Sequence, residues 1–295
     1  MGRMSPITTA VILAAGLGTR MLPATKSVPK EMLPVVDKPL IQYAVEEAVV
    51  AGVTDVVFVI AEGKEAIRDH FGRGGRLELE MEATGNAALL EQVCYPAKLA
   101  RFHYFLQDSP LGIAHALKCA REAVEGQAFA LLFPDDLLIG RRSVVAQLAE
   151  AYTQTGGTTI AVQPVADSEV SQYGIVSPDG DGNPMRLKGI VEKPSLAEAP
   201  SRLGVVGRYI IGPTIFDHID RLKPGKNGEL QLTDAIASQL SAGEPVSAYT
   251  FDGTRYDTGR PLGFITANVG AAMARDDMRE PLSAALRPLL RPEPA

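Results

Sequence analysis

Short runs of apolar, largely β-branched residues recur along the chain at 10–15, 56–61, 102–107, 129–133 and 158–162, each followed by a turn signal. Runs of that length suit strands buried on both faces, where neither side of the strand meets water. The segments between them at 40–51, 114–124 and 143–153 carry apolar positions at helical spacing. The alternation predicts βα units around a mostly parallel sheet, so residues up to about 165 read as a doubly wound α/β unit. From Tyr173 onward the text is richer in glycine, proline and short strand-like pieces, at 174–177, 189–191 and 205–211. Helical spacing returns at 213–221, 232–241 and 262–275. The later strands are expected to extend the same sheet and to add a sugar-sized pocket. One domain over 1–275 is expected, followed by a proline-punctuated tail at 276–295 that packs on a partner or frays.

Composition narrows the class. With 295 residues, 46% hydrophobic and 22% charged, the chain can bury a sizeable core, which excludes disorder, collagen and coiled coil. Formal net charge is −6 with no block of like charge, so neither a nucleic-acid-binding face nor an anionic-membrane surface is expected, and any anion site is local. Cys94 and Cys119 lie in no C-x-x-C pair and beside no histidine cluster, and read as buried thiols of a reducing compartment. No run of about 18 apolar residues occurs, and the first apolar run is too short for a signal peptide. A soluble cytoplasmic protein is expected.

The strongest local chemistry lies where the first apolar run, Val11-Ile-Leu-Ala14-Ala15, enters Gly16-Leu-Gly18-Thr19-Arg20. Glycines let the backbone approach a phosphate and aim N–H groups at it, and Arg20 offers a charge-assisted fork. A tight strand–helix turn explains the same glycines. A dinucleotide fingerprint would need a third glycine where Met21 stands, and a phosphate-binding Gly-Lys-Ser/Thr is absent, so an NAD-binding oxidoreductase fits only the alternation. From Gly16 to Leu40 there are four cations (Arg20, Lys26, Lys30, Lys38) against two acids, on a path that four prolines hold extended.

This stretch, with its Pro23-Ala-Thr-Lys26 and Pro29-Lys30-Glu-Met-Leu-Pro34 segments, resembles the signature of nucleotide-sugar pyrophosphorylases, and within them the uridylyl branch. The resemblance runs from Val11 to about Ala267 and returns at separated positions: Gln107-Asp-Ser-Pro-Leu-Gly112, Asp135, Tyr173-Gly174, Glu192-Lys193-Pro194, Val206-Gly207-Arg208-Tyr209 and Asp257-Thr-Gly259. It implies a Rossmann-like doubly wound α/β fold with a mixed, mostly parallel sheet of the nucleotidyltransferase (glycosyltransferase-A-like) type. The nucleotide part would span about 8–165 and the sugar-phosphate part about 166–260.

The same resemblance assigns residues. Ala14, Ala15, Gly16, Gly18, Thr19, Arg20, Lys30, Gln107 and Gly112 would bind the nucleotide, with Gln107 reading the pyrimidine edge through one acceptor and two donors. His115 then reads as a packed or exposed helix residue. Gly174, Glu192, Lys193 and Val206 would line the sugar-phosphate pocket. Asp135 and Asp257 would hold Mg²⁺, the environment that cation prefers, with Asp136 as rival first ligand. Helix caps or turns account for the aspartates taken singly. Arg20, Lys30, Asp135 and Lys193 would carry catalysis, the substrates being UTP and glucose 1-phosphate and the products UDP-glucose and pyrophosphate. A homodimer or homotetramer is expected. The alternatives are a thymidylyltransferase for the same sugar phosphate and a non-catalytic regulatory relative that binds uridylyltransferase subunits.

Overall fold

Period-two alternation inside the apolar runs decides which layer each side chain joins, because successive strand residues point to opposite faces. Val11, Val57 and Leu131 pack on one side of the sheet with Leu117, Phe216 and Ile236, while Ile12, Phe58 and Leu132 pack on the other with Ile41, Ile67 and Leu148. The structure, a computed structural model, describes residues 7–225 and 228–290. Its strands in chain order are β1 (Thr9–Ala14), β2 (Pro34–Val35), β3 (Lys38–Pro39), β4 (Asp55–Ile60), β5 (Arg101–Leu106), β6 (Phe129–Leu132) and β7 (Asp136–Ile139). After them come β8 (Thr158–Pro164), β9 (Gly174–Pro178), β10 (Met185–Glu192), β11 (Leu203–Ile211), β12 (Val246–Thr250) and β13 (Thr254–Asp257).

Nine strands form one sheet in the order β5-β4-β1-β6-β11-β8-β12-β10-β9. The first four are parallel to one another, as expected. Beyond them the expectation of a mostly parallel sheet gives way. β11 runs antiparallel to β6 and β8, β10 antiparallel to β12 and β9, and only β8 and β12 are parallel there. β9 also pairs back on β11 at Ile175↔Gly204, so β11, β8, β12, β10 and β9 close a ring of five. The physical reason is connection length: parallel neighbours need a crossover, whereas the short turn after Pro178 allows β10 to return antiparallel. The late strands do extend the one sheet.

Helices Leu40–Val50, Glu65–Phe71 and Val144–Thr155 bury their apolar stripes on the Ile12 face, and Ile113–Cys119, Ile215–Ile219 and Leu232–Ser241 on the Val11 face. The pattern at 143–153 is bounded by its own chemistry: Ser143 Oγ accepts the Ala146 N–H at 3.2 Å, and Gly156 ends the helix in the left-handed conformation. The helix expected over 114–124 is two, Ile113–Cys119 and Arg121–Val124. Helices at Arg76–Thr84 and Ala87–Cys94, which pattern alone leaves unassigned, lie with Glu65–Phe71 between β4 and β5. The tail is a helix, Asp276–Leu289, that turns back on Pro261–Met273 through Arg279 Nε to the Met273 carbonyl at 2.9 Å. Residues 291–295 of the expected tail lie outside the described residues. Both cysteines are free. Among the described residues no helix is long and apolar enough to cross a membrane.

A small second sheet carries the site. β7 pairs antiparallel with β13, placing Asp257 opposite Asp136. Helix Pro261–Met273 presses on β13 so closely that a Cβ at Gly263 would stand 1.8 Å from the Asp257 carbonyl oxygen. Gly263→Ala is therefore expected to force helix and strand apart at a cost of about 1–3 kcal/mol. In a thermal melt this reads as a midpoint several degrees lower.

Candidate active site

The carboxyl ends of β1, β4 and β6 open on one crevice, the place where open α/β sheets receive ligands. β1 runs into the glycine loop, where Gly18 takes φ +69 and a Cβ would press on the Lys30 Cβ at 3.1 Å. The Lys30 stem therefore threads along the loop, and only glycine permits both the conformation and the approach. Thr25 Oγ1 braces the turn by donating to the Gly18 carbonyl at 2.8 Å. Thr19 and Arg20 follow, exposed, in a single turn of 3-10 helix.

Lys30 Nζ reaches Asp135 Oδ2 at 2.7 Å. Burial works against the Lys30 charge, but the Asp135 and Glu31 carboxylates outweigh it and the ammonium titrates above its ordinary value. Burial likewise pushes the Asp135 carboxyl up, and Lys30 more than reverses it, holding the group below the usual carboxylate range. Asp135 thus already attracts a cation. Asp136 has both carboxylate oxygens engaged: its Oδ1 is held by Arg255 Nε at 2.5 Å and its Oδ2 accepts the Gly207 N–H at 2.7 Å. Burial raises its pKa, with Arg255 opposing. Asp257 lies across from this turn, where Thr258 ties back to the Asp135 carbonyl through its N–H and its hydroxyl, at 2.9 and 2.8 Å.

The donor set fits a hard divalent cation. Asp135 and Asp257 line the same cavity, and among the described residues no group of three or more histidine, cysteine or carboxylate side chains is placed so that it could by itself hold a metal ion. Two carboxylates that leave the remaining positions to phosphate oxygens and water suit Mg²⁺.

Two cavities, of about 640 and 440 Å³, meet at Asp135, Lys193, Phe133 and Gln231. The larger is lined by Ala15, Gly16, Lys30, Gln107 and Gly112, five of the residues singled out for the nucleotide. Gln107 Nε2 faces the Gly112 carbonyl at 3.4 Å and His115 Nδ1 at 3.1 Å, so His115 orients the glutamine that the pattern had placed without it. Gly112 is compulsory: φ is +99, and a Cβ would lie 2.5 Å from the Leu230 carbonyl oxygen. The smaller cavity is lined by Arg20, Gly174, Glu192, Lys193 and Asp257. Glu192 accepts from Thr233 Oγ1 at 3.1 Å, and Lys193 Nζ rests on Glu192 Oε1 at 3.0 Å. Lys193 holds φ at +44, an uncommon conformation for a residue with a Cβ, and its N–H bonds the Tyr173 carbonyl at 3.1 Å.

Several placements differ from expectation: of the residues expected at the nucleotide, Gly18 and Thr19 line neither cavity and Arg20 lines the smaller one. Val206 does not line the cavity; its side chain is fully buried in the core with Ile12 and Leu132, and its neighbours Val205 and Gly207 face the pocket because strand residues alternate. Arg208 also points away, at 1% exposure, and binds the carbonyls of Phe133, Gly207 and Asp136. Ala14 is buried at the end of β1, with its carbonyl rather than its side chain turned to a partner, Lys64. Sequence reasoning missed Lys64, Glu31, Arg255 and Gln231. Of these, Glu31 carried a signal as the carboxylate next to Lys30, and Gln231 as part of the segment Gly228-Glu-Leu-Gln231, which resembles the family without pointing to a role.

A family model for nucleotidyl transferases matches residues 9–273. The chain belongs to the nucleotidyl transferase family. Among its members, a UTP–glucose-1-phosphate uridylyltransferase of Bacillus subtilis is 44% identical over 291 residues, spanning 98% of this chain and 99% of that protein. A UDP-glucose pyrophosphorylase solved with UDP-glucose superposes with a TM-score of 0.82 at 38% identity, covering 91% of this chain and all of the other. The UTP-bound enzyme of Acinetobacter baumannii superposes at 0.87 with 36% identity over 95% of this chain and 98% of its own.

For this nucleotidyl transferase the Asp136–Arg255 pair yields a sharp expectation. Both side chains are about nine-tenths buried, so Arg255→Met strands a carboxylate beside Asp135. The loss should reach about 3–5 kcal/mol in urea unfolding, whereas changing Asp136 and Arg255 together to Asn and Met should recover a large part of it.

Proposed function

We propose that this protein transfers the uridylyl group of UTP to α-D-glucose 1-phosphate, forming UDP-glucose and releasing pyrophosphate. The observation that carries the reading is the junction of two cavities at Asp135 and Lys193, one lined by the glycine loop and Gln107, the other by Glu192 and Gly174. The named relatives and the two ligand-bound neighbours agree with it.

The nucleophile is an oxygen of the sugar phosphate, already an anion, so no general base is required. That oxygen bonds to the α-phosphorus in line, the bond from the α-phosphorus to the bridging oxygen breaks, and pyrophosphate departs with the electron pair. The protein has to bring two mutually repelling anions together and to stabilise charge on the leaving group. Lys193 positions the attacking phosphate, and the backbone of residues 15–18 with Arg20 and Lys30 receives the β- and γ-phosphates. Lys30, whose ammonium pairs with Asp135, exchanges that carboxylate for phosphate oxygens as substrate enters. Mg²⁺ on Asp135 and Asp257 would supply neutralisation of the α-phosphate charge. Gln107, its amide set by His115, reads the uracil edge, and Glu192 accepts from sugar hydroxyls.

The reading extends to a cytoplasmic protein in one catalytic unit over 1–275, acting as a homodimer or homotetramer, on the ground of the family resemblance and the late helices. A regulatory relative without turnover is disfavoured because Arg20, Lys30, Asp135 and Lys193 all face the cavities.

Pyrophosphate release with Mg²⁺ and glucose 1-phosphate, run in parallel with UTP, dTTP, ATP and no nucleotide, tests the assignment. UTP is expected to dominate, and a dTTP preference would move the protein to the thymidylyl branch. Arg20→Ala is expected to keep the fold and to lower turnover on the order of 10² to 10³. Full activity in that variant removes Arg20 from the machinery. Chelation of divalent ions should abolish release, and Mg²⁺ should restore it.

A further inference from the structure

One buried charge beside the nucleotide cavity takes no part in the reaction as described. Lys64 stands just after β4 with its side chain 8% exposed, and its ammonium contacts four oxygens: the carbonyls of Ala14 and Gly16, the latter at 2.6 Å, and both carboxylate oxygens of Glu31, at 2.9 Å each. The Glu31 side chain has no exposure at all. Burial draws the Lys64 pKa down and the Glu31 pKa up, each against the attraction of the other, so the pair is held by its geometry at an electrostatic cost.

In a planar trans peptide the carbonyl and the N–H that follows it point in opposite directions. Drawing the carbonyls of Ala14 and Gly16 onto one ammonium therefore turns the N–H groups of Ala15 and Leu17 the other way. The backbone N–H groups of residues 15–18 find no acceptor among the described residues, although Ala15, Gly16 and Leu17 line the nucleotide cavity. Unpaired donors in series at a cavity wall make a receptacle for an anion. Glu31 adjoins Lys30 in the chain, so the same strut also fixes the segment that carries the Lys30 ammonium.

We infer that Lys64, locked by Glu31, is a positioning residue that presents the glycine-loop N–H groups to the phosphates of the nucleotide. The inference rests on the uridylyltransferase reading for the identity of the ligand, but the receptacle itself is specific only for a polyphosphate. Lys64 would touch neither substrate, and its effect would pass through the loop.

The test compares the parent protein with the double variant Lys64→Met, Glu31→Leu, which removes both buried charges and leaves neither partner stranded. Circular dichroism and a thermal melt establish that the variant folds, and calorimetry then measures binding of UTP and of inorganic pyrophosphate. Both should weaken by about tenfold or more, as expected for losing alignment of several donors to a charged acceptor. The KM for UTP should rise in step, while the KM for glucose 1-phosphate at saturating UTP stays within about twofold. Unchanged pyrophosphate and UTP affinity in the folded variant overturns the inference, as does a rise in both KM values together, which marks general loosening. A parent protein that binds pyrophosphate but turns over no nucleotide overturns the functional reading alone, because the pyrophosphate comparison still decides the role of Lys64. Should the double variant not fold, Glu31→Gln, which keeps the shape and removes one charge, carries the same comparison.

Discussion

A guanidinium with almost no access to water needs a partner for nearly every N–H it carries, and Arg208 finds its partners in the turn that bears Asp135. Its Nη1 and Nη2 donate to the carbonyls of Phe133, Gly207 and Asp136, and Glu47 neutralises its charge at 2.9 Å. The turn between β6 and β7 lacks a strand ladder of its own, so a buried cation substitutes for one. With that turn fixed, two consecutive carboxylates take different partners, Asp136 bound to Arg255 and Gly207 at the wall of the smaller cavity and Asp135 paired with Lys30 where the two cavities meet. The division of labour between the two aspartates is thus decided beneath them, on β11 and on helix Leu40–Val50.

The site as a whole is layered by charge. Cations that face the crevice, Arg20, Lys30 and Lys193, are at least partly exposed and free to exchange partners, whereas Lys64 and Arg208 are buried and committed to backbone carbonyls and carboxylates; Arg255 stands between the two groups, at the wall of the smaller cavity but bound to Asp136 and the Tyr173 hydroxyl. Outer charges can act on substrates because water and incoming phosphates compete for them; inner ones cannot, and serve as fixed geometry.

Much of this was legible in the sequence where physics is local. The runs at 10–15, 56–61 and 129–133 are parallel strands because a strand buried on both faces leaves a continuous apolar trace, whereas the run at 102–107, expected to be buried likewise, is the half-exposed edge strand β5. The glycine loop was legible because backbone that must approach a ligand tolerates only one residue type. Closure of the ring through Ile175 and Gly204 was not, since strand partnership depends on residues distant in the chain. Val206 was misplaced for a related reason: a motif fixes a neighbourhood, but the one-residue alternation of a strand decides which neighbour faces the ligand. His115, Lys64 and Arg255 act through partners 8, 33 and 119 positions away, and no spacing rule reaches so far.

The ring has a further consequence for the molecule in a crowded solution. A sheet ordinarily ends in two strands with unpaired backbone groups, each a template for association with a foreign chain. Here the end that would lie at β9 is turned back on β11 and pairs with it at Ile175 and Gly204. The other end, β5, shows an outward face of Arg101 and His103, both held by Asp55 of the adjoining strand. A second chain approaching that margin meets the Arg101–Asp55 ion pair before it meets apolar surface, one of the devices by which natural sheets blunt an edge.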